Sequence, residues 1–221
     1  MKVLELFAGS RSIGKEAEKL GHEVFSVDWE KFEGIDLAID IGELKLEDVP
    51  FIPDFIWASP DCVTYSMAAG RTHRIQPNFA PRTPYAEKCD TVNKHWIGLI
   101  NQWLEINPNM VYYIENPRAM LRKMDFMQDM PIRNTVWYCQ YGDIRAKPTD
   151  VFTNNTKWIP RPMCHNKRKD KDGNVIDHCH HESAPRGSKT GTQGLKGSYQ
   201  RSMIPKELCI EILTCDRRAS K

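Results

Sequence analysis

The chain has 221 residues, of which 40% are hydrophobic and 27% are charged. This length and composition indicate one globular domain with a real core and at most a small appendage. No apolar stretch approaches the roughly 18 residues that cross a bilayer, and the start of the chain lacks a signal-peptide layout, so we expect a cytoplasmic protein without a membrane partner.

The charges are unevenly distributed along the chain. The formal net charge is only +2, but acidic residues concentrate in residues 1–60, whereas Lys and Arg concentrate in residues 71–82 and 161–206. A near-neutral total with a basic half predicts a local contact with an anionic partner. The seven cysteines are an odd number that fits a disulfide framework poorly, so mostly reduced thiols are expected.

Short apolar runs alternate with helical patterns from the first residues onward. The predicted strands are KVLELF (2–7), EVFSVD (23–28), IDLAIDI (35–41), FIPDFIWAS (51–59), MVYYIEN (110–116), TVWYCQYG (135–142) and VFTN (151–154). Helices are predicted at 15–22, 85–106 and 204–213, largely because apolar residues recur there on one helical face. This alternation predicts an α/β fold, a mostly parallel sheet with helices on both faces.

Polar or chemically versatile residues stand at the ends of successive predicted strands. These are Phe7–Gly9, Asp28, Asp40, Ser59–Cys62 and Glu115–Asn116. Ligands of such sheets bind beyond the carboxyl ends of the strands. We therefore expect the functional site at that edge.

The turn LFAGSRSIG lies between the first strand and the first helix, where backbone amides can approach a ligand. Asp28 ends the second strand and Trp29 follows it. A carboxylate there can accept hydrogen bonds from ribose hydroxyls, and an indole can stack on adenine, which favours a nucleotide-type cofactor. The alternative is that Gly9 only turns the chain and that Asp28 only caps it.

Cys62 follows the fourth strand in ASPDCVTYS, and Glu115 ends the fifth in YYIENPRAML. A thiolate that adds to a ring, beside an acid that protonates the ring nitrogen, would use this pair. Each residue has a plainer alternative. Cys62 would then be a partly buried inert thiol, and Glu115 would belong to a structural ion pair.

Taken together, these stretches resemble the cytosine-carbon-5 DNA methyltransferase family. LFAGSRSIG…EVFSVDWE, SPDCVTYS and IENPRAM are similar to its first, fourth and sixth motifs, in the family's order; YGDIRAKPTDVFTN resembles the eighth motif and GSYQRSMIPKELCIEIL the tenth. The short chain and the Glu-Asn-Pro run look like the small methylases of phages and prophages. The resemblance implies a class I S-adenosylmethionine-dependent methyltransferase (Rossmann-like) fold and the cytoplasm of a bacterial host cell.

The resemblance also implies a reaction. Cys62 would attack carbon 6 of a cytosine flipped out of double-stranded DNA, and carbon 5 would take the methyl group of S-adenosylmethionine. The catalytic residues it implies are Cys62, Glu115, Asn116 and Arg145. The cofactor-binding residues it implies are Phe7, Ala8, Gly9, Ser10, Ile13, Asp28, Trp29, Asp40, Ile41, Ser59 and Pro60.

The substrate contacts that we expect lie mostly in basic stretches. They are Ser66, Arg71, Arg74, Arg82, Lys147 and Arg186. Residues 67–84 would form a lid over the flipped base, with arginines that meet phosphates. The alternative is a solvated surface loop.

The sequence departs from the family pattern at several positions. Asp61 replaces the family's Pro before the Cys, and an acid there should raise the pKa of Cys62. Pro117 replaces the usual Val, and Arg145 and Lys147 stand near a Gln-x-Arg-x-Arg run. A recognition region of family length is missing, which leaves RNA, single-stranded DNA or a free nucleotide as alternative substrates. A non-catalytic DNA-binding module is the alternative from another class.

We divide the chain into a catalytic core at 1–155, a basic Cys/His-rich recognition insert at 156–200, and a C-terminal helical segment at 201–221 that returns to the core. The insert has little apolar sequence, so a structural zinc ion would help to order it. Its hairpin NKRKDKDGNVID has a favourable Asp172-Gly173 turn. The predicted ligands are Cys164, His165, Cys179 and His181, with Cys139 as a substitute for one of them. The alternative is a metal-free basic loop that touches DNA.

Overall fold

The computed structural model describes residues 1–67, 70–165, 168–177, 179–181, 195 and 197–215. Its centre is a seven-stranded sheet in the order β3-β2-β1-β4-β5-β7-β6. The strands are β1 Lys2–Leu6, β2 Glu23–Asp28, β3 Leu37–Ala38, β4 Phe55–Ala58, β5 Val111–Pro117, β6 Ile132–Trp137 and β7 Pro148–Thr153.

Five neighbouring strands run parallel, with β1 between β2 and β4 and with β5 beside β4. Strand β7 inserts antiparallel between β5 and β6. The prediction of a mostly parallel sheet is therefore confirmed. Since β4 and β5 are adjacent, the residues that follow β4 lie beside the end of β5.

Three longer helices cover the sheet, namely α1 Ser12–Lys19, α2 Pro84–Ile106 and α3 Lys206–Thr214. Two short helices span Gly70–His73 and Ser198–Ser202. The 3-10 turns are Ile41–Glu43, Leu46–Asp48, Val63–Tyr65, Leu121–Lys123, Asp125–Met127 and Tyr138–Tyr141. Small antiparallel pairs join Arg74–Ile75 to Ala80–Pro81 and Arg168–Lys169 to Val175–Asp177.

Helix α2 forms where the apolar periodicity predicts it. Thr83 caps its start by accepting a hydrogen bond from the Ala86 amide at 3.3 Å, and Pro84 occupies the first turn, where no amide partner is needed. Its apolar face buries Trp96 and Trp103 against one face of the sheet. Helix α2 therefore packs across this face of the sheet.

Successive side chains of each strand point to opposite faces of the sheet, so one strand contributes to the core on both faces. Leu4 and Ile56 face the cluster under α2, while Val3 and Trp57 face a second cluster. Helix α1 packs against α3 on that second face. The arrangement has three layers, with helices on both faces of the sheet as predicted.

Two predicted strands are shorter than expected. The third ends at Ala38 because the Asp40 carboxylate accepts a hydrogen bond from the Gly42 amide at 3.0 Å and starts a 3-10 turn. The sixth ends at Trp137, and the chain closes into the turn Tyr138–Tyr141. Local capping thus overrides the apolar run.

The described part of the insert contains the predicted hairpin. Gly173 adopts φ 84°, and Asp170 accepts hydrogen bonds from the Asp172 and Asn174 amides at 2.9 and 2.8 Å. Within the described ranges, no helix combines the length and apolar character needed to cross a bilayer.

Candidate active site

Cys62 lies in the loop that leaves β4 at the carboxyl edge of the sheet. Asp61 shapes this loop, because its carboxylate accepts a hydrogen bond from the Val63 amide at 2.6 Å and another from the Tyr85 hydroxyl. Ser59 accepts a hydrogen bond from the Trp57 indole at 2.7 Å. Cys62 is half-buried at the start of the turn Val63–Tyr65.

The thiol of Cys62 is held in its protonated form. Burial is the main cause that raises its pKa to about 11, and the negative charges of Glu115 and Asp61 add to the rise, while Lys147 opposes it. The direction of the Asp61 contribution agrees with the sequence prediction. At neutral pH the free protein presents a thiol and not a thiolate.

Strand β5 carries Glu115 and Asn116 to the same edge. The Asn116 amide donates to the Pro60 carbonyl at 3.0 Å and so ties β5 to the Cys62 loop. Its Oδ1 atom is buried and has no partner among the described residues. An acceptor oxygen thus remains beside the loop.

Tyr138 is a member of this site that the sequence analysis did not identify. It is fully buried, and its hydroxyl donates to Glu115 Oε1 at 2.8 Å. The Lys147 ammonium lies 3.7 Å from the same oxygen and 4.5 Å from the Tyr138 ring centroid. In the sequence, Tyr138 belongs to an apolar run that predicts one continuous strand. Only its position in space, beside Glu115, marks it as a residue of the site.

Arg145, a predicted catalytic residue, lies 5.6 Å from the Tyr138 ring centroid and is held by many internal contacts. Its guanidinium is buried, donates to Asp143 at 2.9 Å, and also donates to the Arg201 and Met203 carbonyls at 3.1 and 3.0 Å. Lys147 donates to the Arg201 carbonyl at 3.1 Å. Arg145 therefore fastens the 197–203 segment beside the site, and its catalytic role stays a prediction.

The turn after β1 offers a backbone cradle. Gly9 adopts φ 45°, and an added Cβ would meet only the Phe7 carbonyl at 4.0 Å, so the space there is open. Asp28 accepts hydrogen bonds from the Gly9 and Glu30 amides at 2.9 and 3.0 Å. Trp29 is 72% exposed beside it. Together these groups form an open backbone turn braced by the buried Asp28 carboxylate, with a bare indole surface beside it.

Other cofactor candidates surround this cradle. Asp40 pairs with Lys88 at 2.7 Å, and the Lys88 ammonium is the main cause that lowers the pKa of Asp40 from its ordinary value. Ile41 is buried in the core below. The remaining candidates lie at the ends of β1 and β4 and are Phe7, Ala8, Ser10, Ser59 and Pro60.

Ile13, another cofactor candidate, lies in the core beneath the turn. Its side chain is fully buried in the core, and its amide donates to Glu5 at 3.1 Å. Glu5, which the sequence analysis did not single out, also accepts from Gly14 at 3.1 Å and from the Ser26 hydroxyl at 3.2 Å. Ile13 therefore has no free group to offer a ligand, and Glu5 holds the start of α1 in place.

Arg74, a predicted substrate contact, is buried under the loop after Cys62. Its side chain is fully buried, donates to Asp90 at 2.6 Å and to the Thr64 hydroxyl at 3.1 Å, and stacks 4.4 Å from the Tyr65 ring centroid. The Tyr65 hydroxyl donates to Asp90 at 2.6 Å. Arg74 therefore braces the loop after Cys62.

The other substrate candidates differ in exposure. Arg71 and Arg82 are exposed, and Arg82 donates to the Arg71 carbonyl at 2.8 Å. Ser66 is half-buried and donates to the Val63 carbonyl at 3.1 Å. Arg186 lies outside the described residues.

The structure brings three of the four predicted metal ligands together. The ligand atoms of Cys164, Cys179 and His181 lie with that of Cys139 inside 4.8 Å of one another. His165 is exposed and is not in this group. Cys139, which the sequence offered as a substitute for one ligand, therefore takes the place of His165 in this group.

Comparisons with known proteins find matches among solved structures. No protein-family model and no curated protein matches the chain. Among solved structures it is similar to a mutant DNMT2 of Spodoptera frugiperda, with 19% identity, 73% of this chain and 55% of that chain covered, and a TM-score of 0.46. The Dnmt2 methyltransferase of S. pombe is 14% identical, with 72% of this chain and 52% of that chain covered, and its TM-score is 0.47.

The structure of the Entamoeba histolytica methyltransferase EhMeth matches with 12% identity, covers 74% of this chain and 57% of that chain, and has a TM-score of 0.51. At such identity a similarity indicates the fold alone. The seven-stranded sheet and its helices are those of a class I S-adenosylmethionine-dependent methyltransferase. The chain spans somewhat more than half the length of these three proteins.

Proposed function

We propose that this protein is an S-adenosylmethionine-dependent methyltransferase that methylates carbon 5 of a cytosine in double-stranded DNA through a covalent bond to Cys62. The observation that carries the proposal is the meeting of Cys62 and Glu115 at one edge of the sheet, joined by the hydrogen bond from Asn116 to Pro60. A thiol, a carboxyl group and an unpartnered amide oxygen at one place suit addition to a pyrimidine ring.

The residues of the chain have distinct roles in this reaction. Cys62 Sγ adds to carbon 6 of the ring while its thiol proton passes to the Glu115 carboxylate, directly or through water. Glu115 delivers that proton to ring nitrogen 3, so the ring becomes a neutral enamine instead of carrying a negative charge. Tyr138 and Lys147 hold the Glu115 carboxylate in position. Loss of the carbon-5 proton and elimination of the Cys62 sulfur complete the reaction.

The strand ends β1 to β3 suit the cofactor. S-adenosylmethionine supplies the methyl group when it is bound. The open backbone at Gly9 admits a ligand, Asp28 keeps acceptor capacity for ribose hydroxyls, and the bare Trp29 ring offers a stacking surface for adenine. Asp40, with Ile41, would meet the adenine edge.

The negative charges that raise the pKa of Cys62 also bear on how the thiol is activated. Glu115 raises the pKa of the thiol through its negative charge. When Glu115 takes up the thiol proton as the base binds, its part in raising the pKa of Cys62 is removed, while burial, the larger cause, remains.

Transfer of labelled methyl from S-adenosylmethionine to DNA tests the proposal. We expect incorporation by the native protein, none by Cys62→Ser, and normal incorporation by Cys89→Ser, which removes a different half-buried thiol. A covalent adduct with 5-fluorocytosine DNA would exclude a non-catalytic binding module. Equal incorporation by the native protein and Cys62→Ser, or none by either, would contradict the proposal.

The nature of the substrate is tested in the same assay. Duplex DNA, single-stranded DNA, RNA and free cytidine nucleotides are offered separately. We expect a polynucleotide to be preferred to free nucleotides, since the exposed Arg71 and Arg82 follow the Cys62 loop along the chain and suit phosphate contacts. Among polynucleotides we expect duplex DNA, as the family resemblance implies. A preference for another substrate would keep the chemistry and overturn the choice of DNA.

A further inference from the structure

Three cysteines and one histidine from separate parts of the chain converge beside the end of β6. Cys139 lies in the buried turn Tyr138–Tyr141 of the core. Cys164 precedes the basic hairpin of the insert, and Cys179 and His181 follow it. The four ligand atoms lie within 4.8 Å of one another, so residues far apart in sequence share one small volume.

The spacing of these atoms is close to that of a tetrahedral ion. Zn–S bonds of about 2.3 Å place two sulfurs roughly 3.8 Å apart, and a sulfur and a ring nitrogen slightly closer. Cys164 Sγ and His181 Nδ1 are 3.6 Å apart. Shifts of about 1 Å bring the widest pair into coordination distance.

Groups around the four ligands support them. The Gln140 amide nitrogen lies 3.8 Å from both Cys139 Sγ and Cys179 Sγ, where an N–H can donate to thiolates. His180 Nε2 donates to the Asp143 carbonyl at 2.9 Å and fixes the segment that carries Cys179 and His181. The ligands are therefore held toward one another by contacts outside the cluster.

We infer that Cys139, Cys164, Cys179 and His181 bind one zinc ion that fastens the basic insert to the core. Three soft thiolates and an imidazole in a closed tetrahedral set are typical of structural zinc and disfavour magnesium or calcium. The insert has too few apolar residues to order itself, so the binding free energy of the metal supplies what a hydrophobic core would.

Because Cys139 belongs to the core, the ion also connects the insert to the candidate active site. Cys139 directly follows Tyr138, whose hydroxyl donates to Glu115. The ion therefore fixes the insert at the wall of the candidate active site. The inference itself does not depend on methyl transfer, because metal binding is measured without activity.

Metal analysis of the purified full-length chain tests the site. We expect one zinc per chain and an X-ray absorption spectrum with three sulfur ligands and one nitrogen ligand at about 2.3 and 2.0 Å. Absence of zinc after reduction and zinc addition, iron in its place, or a set with two sulfurs and two nitrogens would overturn the inference.

Paired variants identify the ligands. Cys179→Ser and His181→Gln should lose the bound zinc, whereas Cys89→Ser and His165→Gln should keep it, because neither control residue belongs to the cluster. Retention by both ligand variants, or loss in His165→Gln, would overturn the assignment.

A measurement on the native protein avoids variants that fail to fold. Removal of zinc by a chelator should speed tryptic cleavage in the hairpin 168–177, while the tryptophan fluorescence of the core stays unchanged. Cleavage at the same rate with and without zinc would show that the ion does not order the insert. Cobalt substitution should give the intense ligand-field bands of a tetrahedral thiolate site, and weak octahedral bands would count against it.

Discussion

Cys62 lies among more negative charge than positive charge. Its pKa of about 11 reflects burial first, then Glu115 and Asp61, with Lys147 as the opposing cation. Asp61 is held by Val63 and Tyr85 and shapes the loop, so the same residue that opposes the thiolate also positions the thiol. This balance makes the reactivity of the thiol depend on the charges around it.

We expect Asp61→Asn and Asp61→Pro to lower the pKa of Cys62, because each removes one of the negative charges that raise it. The rate of iodoacetamide alkylation at Cys62, followed by peptide mass spectrometry against pH, should rise near pH 8. Asp54→Asn, at the opposite end of β4, is the control and should leave the profile unchanged. An identical profile for all three variants would show that Asp61 does not oppose the thiolate.

We expect Tyr138→Phe to reduce methyl transfer by about 10- to 100-fold, since a hydrogen bond to a charged group contributes about 1.5–3 kcal/mol. The hydroxyl that it removes donates to Glu115. Tyr141→Phe is the matched control, because that hydroxyl donates to Glu211 on α3 at 3.0 Å. The control should lose stability and keep its rate; equal loss of activity in both would contradict a specific role for Tyr138.

At the scale of elements, Glu5 joins β1, β2 and the start of α1. Its carboxyl group accepts from the Ile13 and Gly14 amides and from Ser26. Burial raises its pKa to about 7, and the two amides only partly offset that rise. A side chain at the first strand therefore satisfies the open donors of the first helix.

The raised pKa of Glu5 predicts a pH-dependent stability. The protonated group contributes fully below its ordinary value of 4.5, and the contribution is lost as the pH rises through about 7. The loss is on the order of 3 kcal/mol. In chemical denaturation, Glu5→Gln should be less stable than the native protein at pH 5, and the gap should narrow toward pH 8.

Glu23→Gln, at the exposed start of β2, is the control for this experiment and should show a constant gap. A gap for Glu5→Gln that stays constant or widens with pH would mean that the carboxyl group is ionised in the folded protein throughout this range.

At the scale of the molecule, the end of the chain returns to its beginning. Helix α3 packs on α1, and the Ile204 amide donates to the Ser12 hydroxyl at 3.1 Å. Arg145 and Lys147 hold the preceding segment through its carbonyls. The domain boundaries at 155 and 200 remain a proposal that follows from this return.

We expect Arg145→Ala to destabilise the protein by about 3–5 kcal/mol, because it leaves Asp143 and three backbone carbonyls without their buried cation. Thermal unfolding should show a much lower midpoint than for Arg133→Ala, which removes an exposed arginine of β6. An unchanged midpoint with lost methyl transfer would instead support the catalytic role of Arg145 that the family resemblance implies.

Sequence patterns predicted some features of the site and missed others for physical reasons. The apolar spacing of α2 and the adjacency of β4 and β5 place Cys62 near Glu115. Tyr138 escaped notice because its importance comes from a contact across 23 positions of sequence. Arg74 read as a surface cation because sequence does not reveal that Asp90 is buried beside it.

The sequence by itself determined the layers of this protein and the groups at its strand ends, because apolar periodicity and turn residues act over short distances along the chain. Only the tertiary structure decided which polar groups form hydrogen bonds and ion pairs within the protein. It assigned Arg145 and Ile13 to internal bonds, and it selected Cys139 over His165 in the metal cluster. Burial and charge pairing depend on distances between residues that are remote in sequence, and no local pattern encodes those distances.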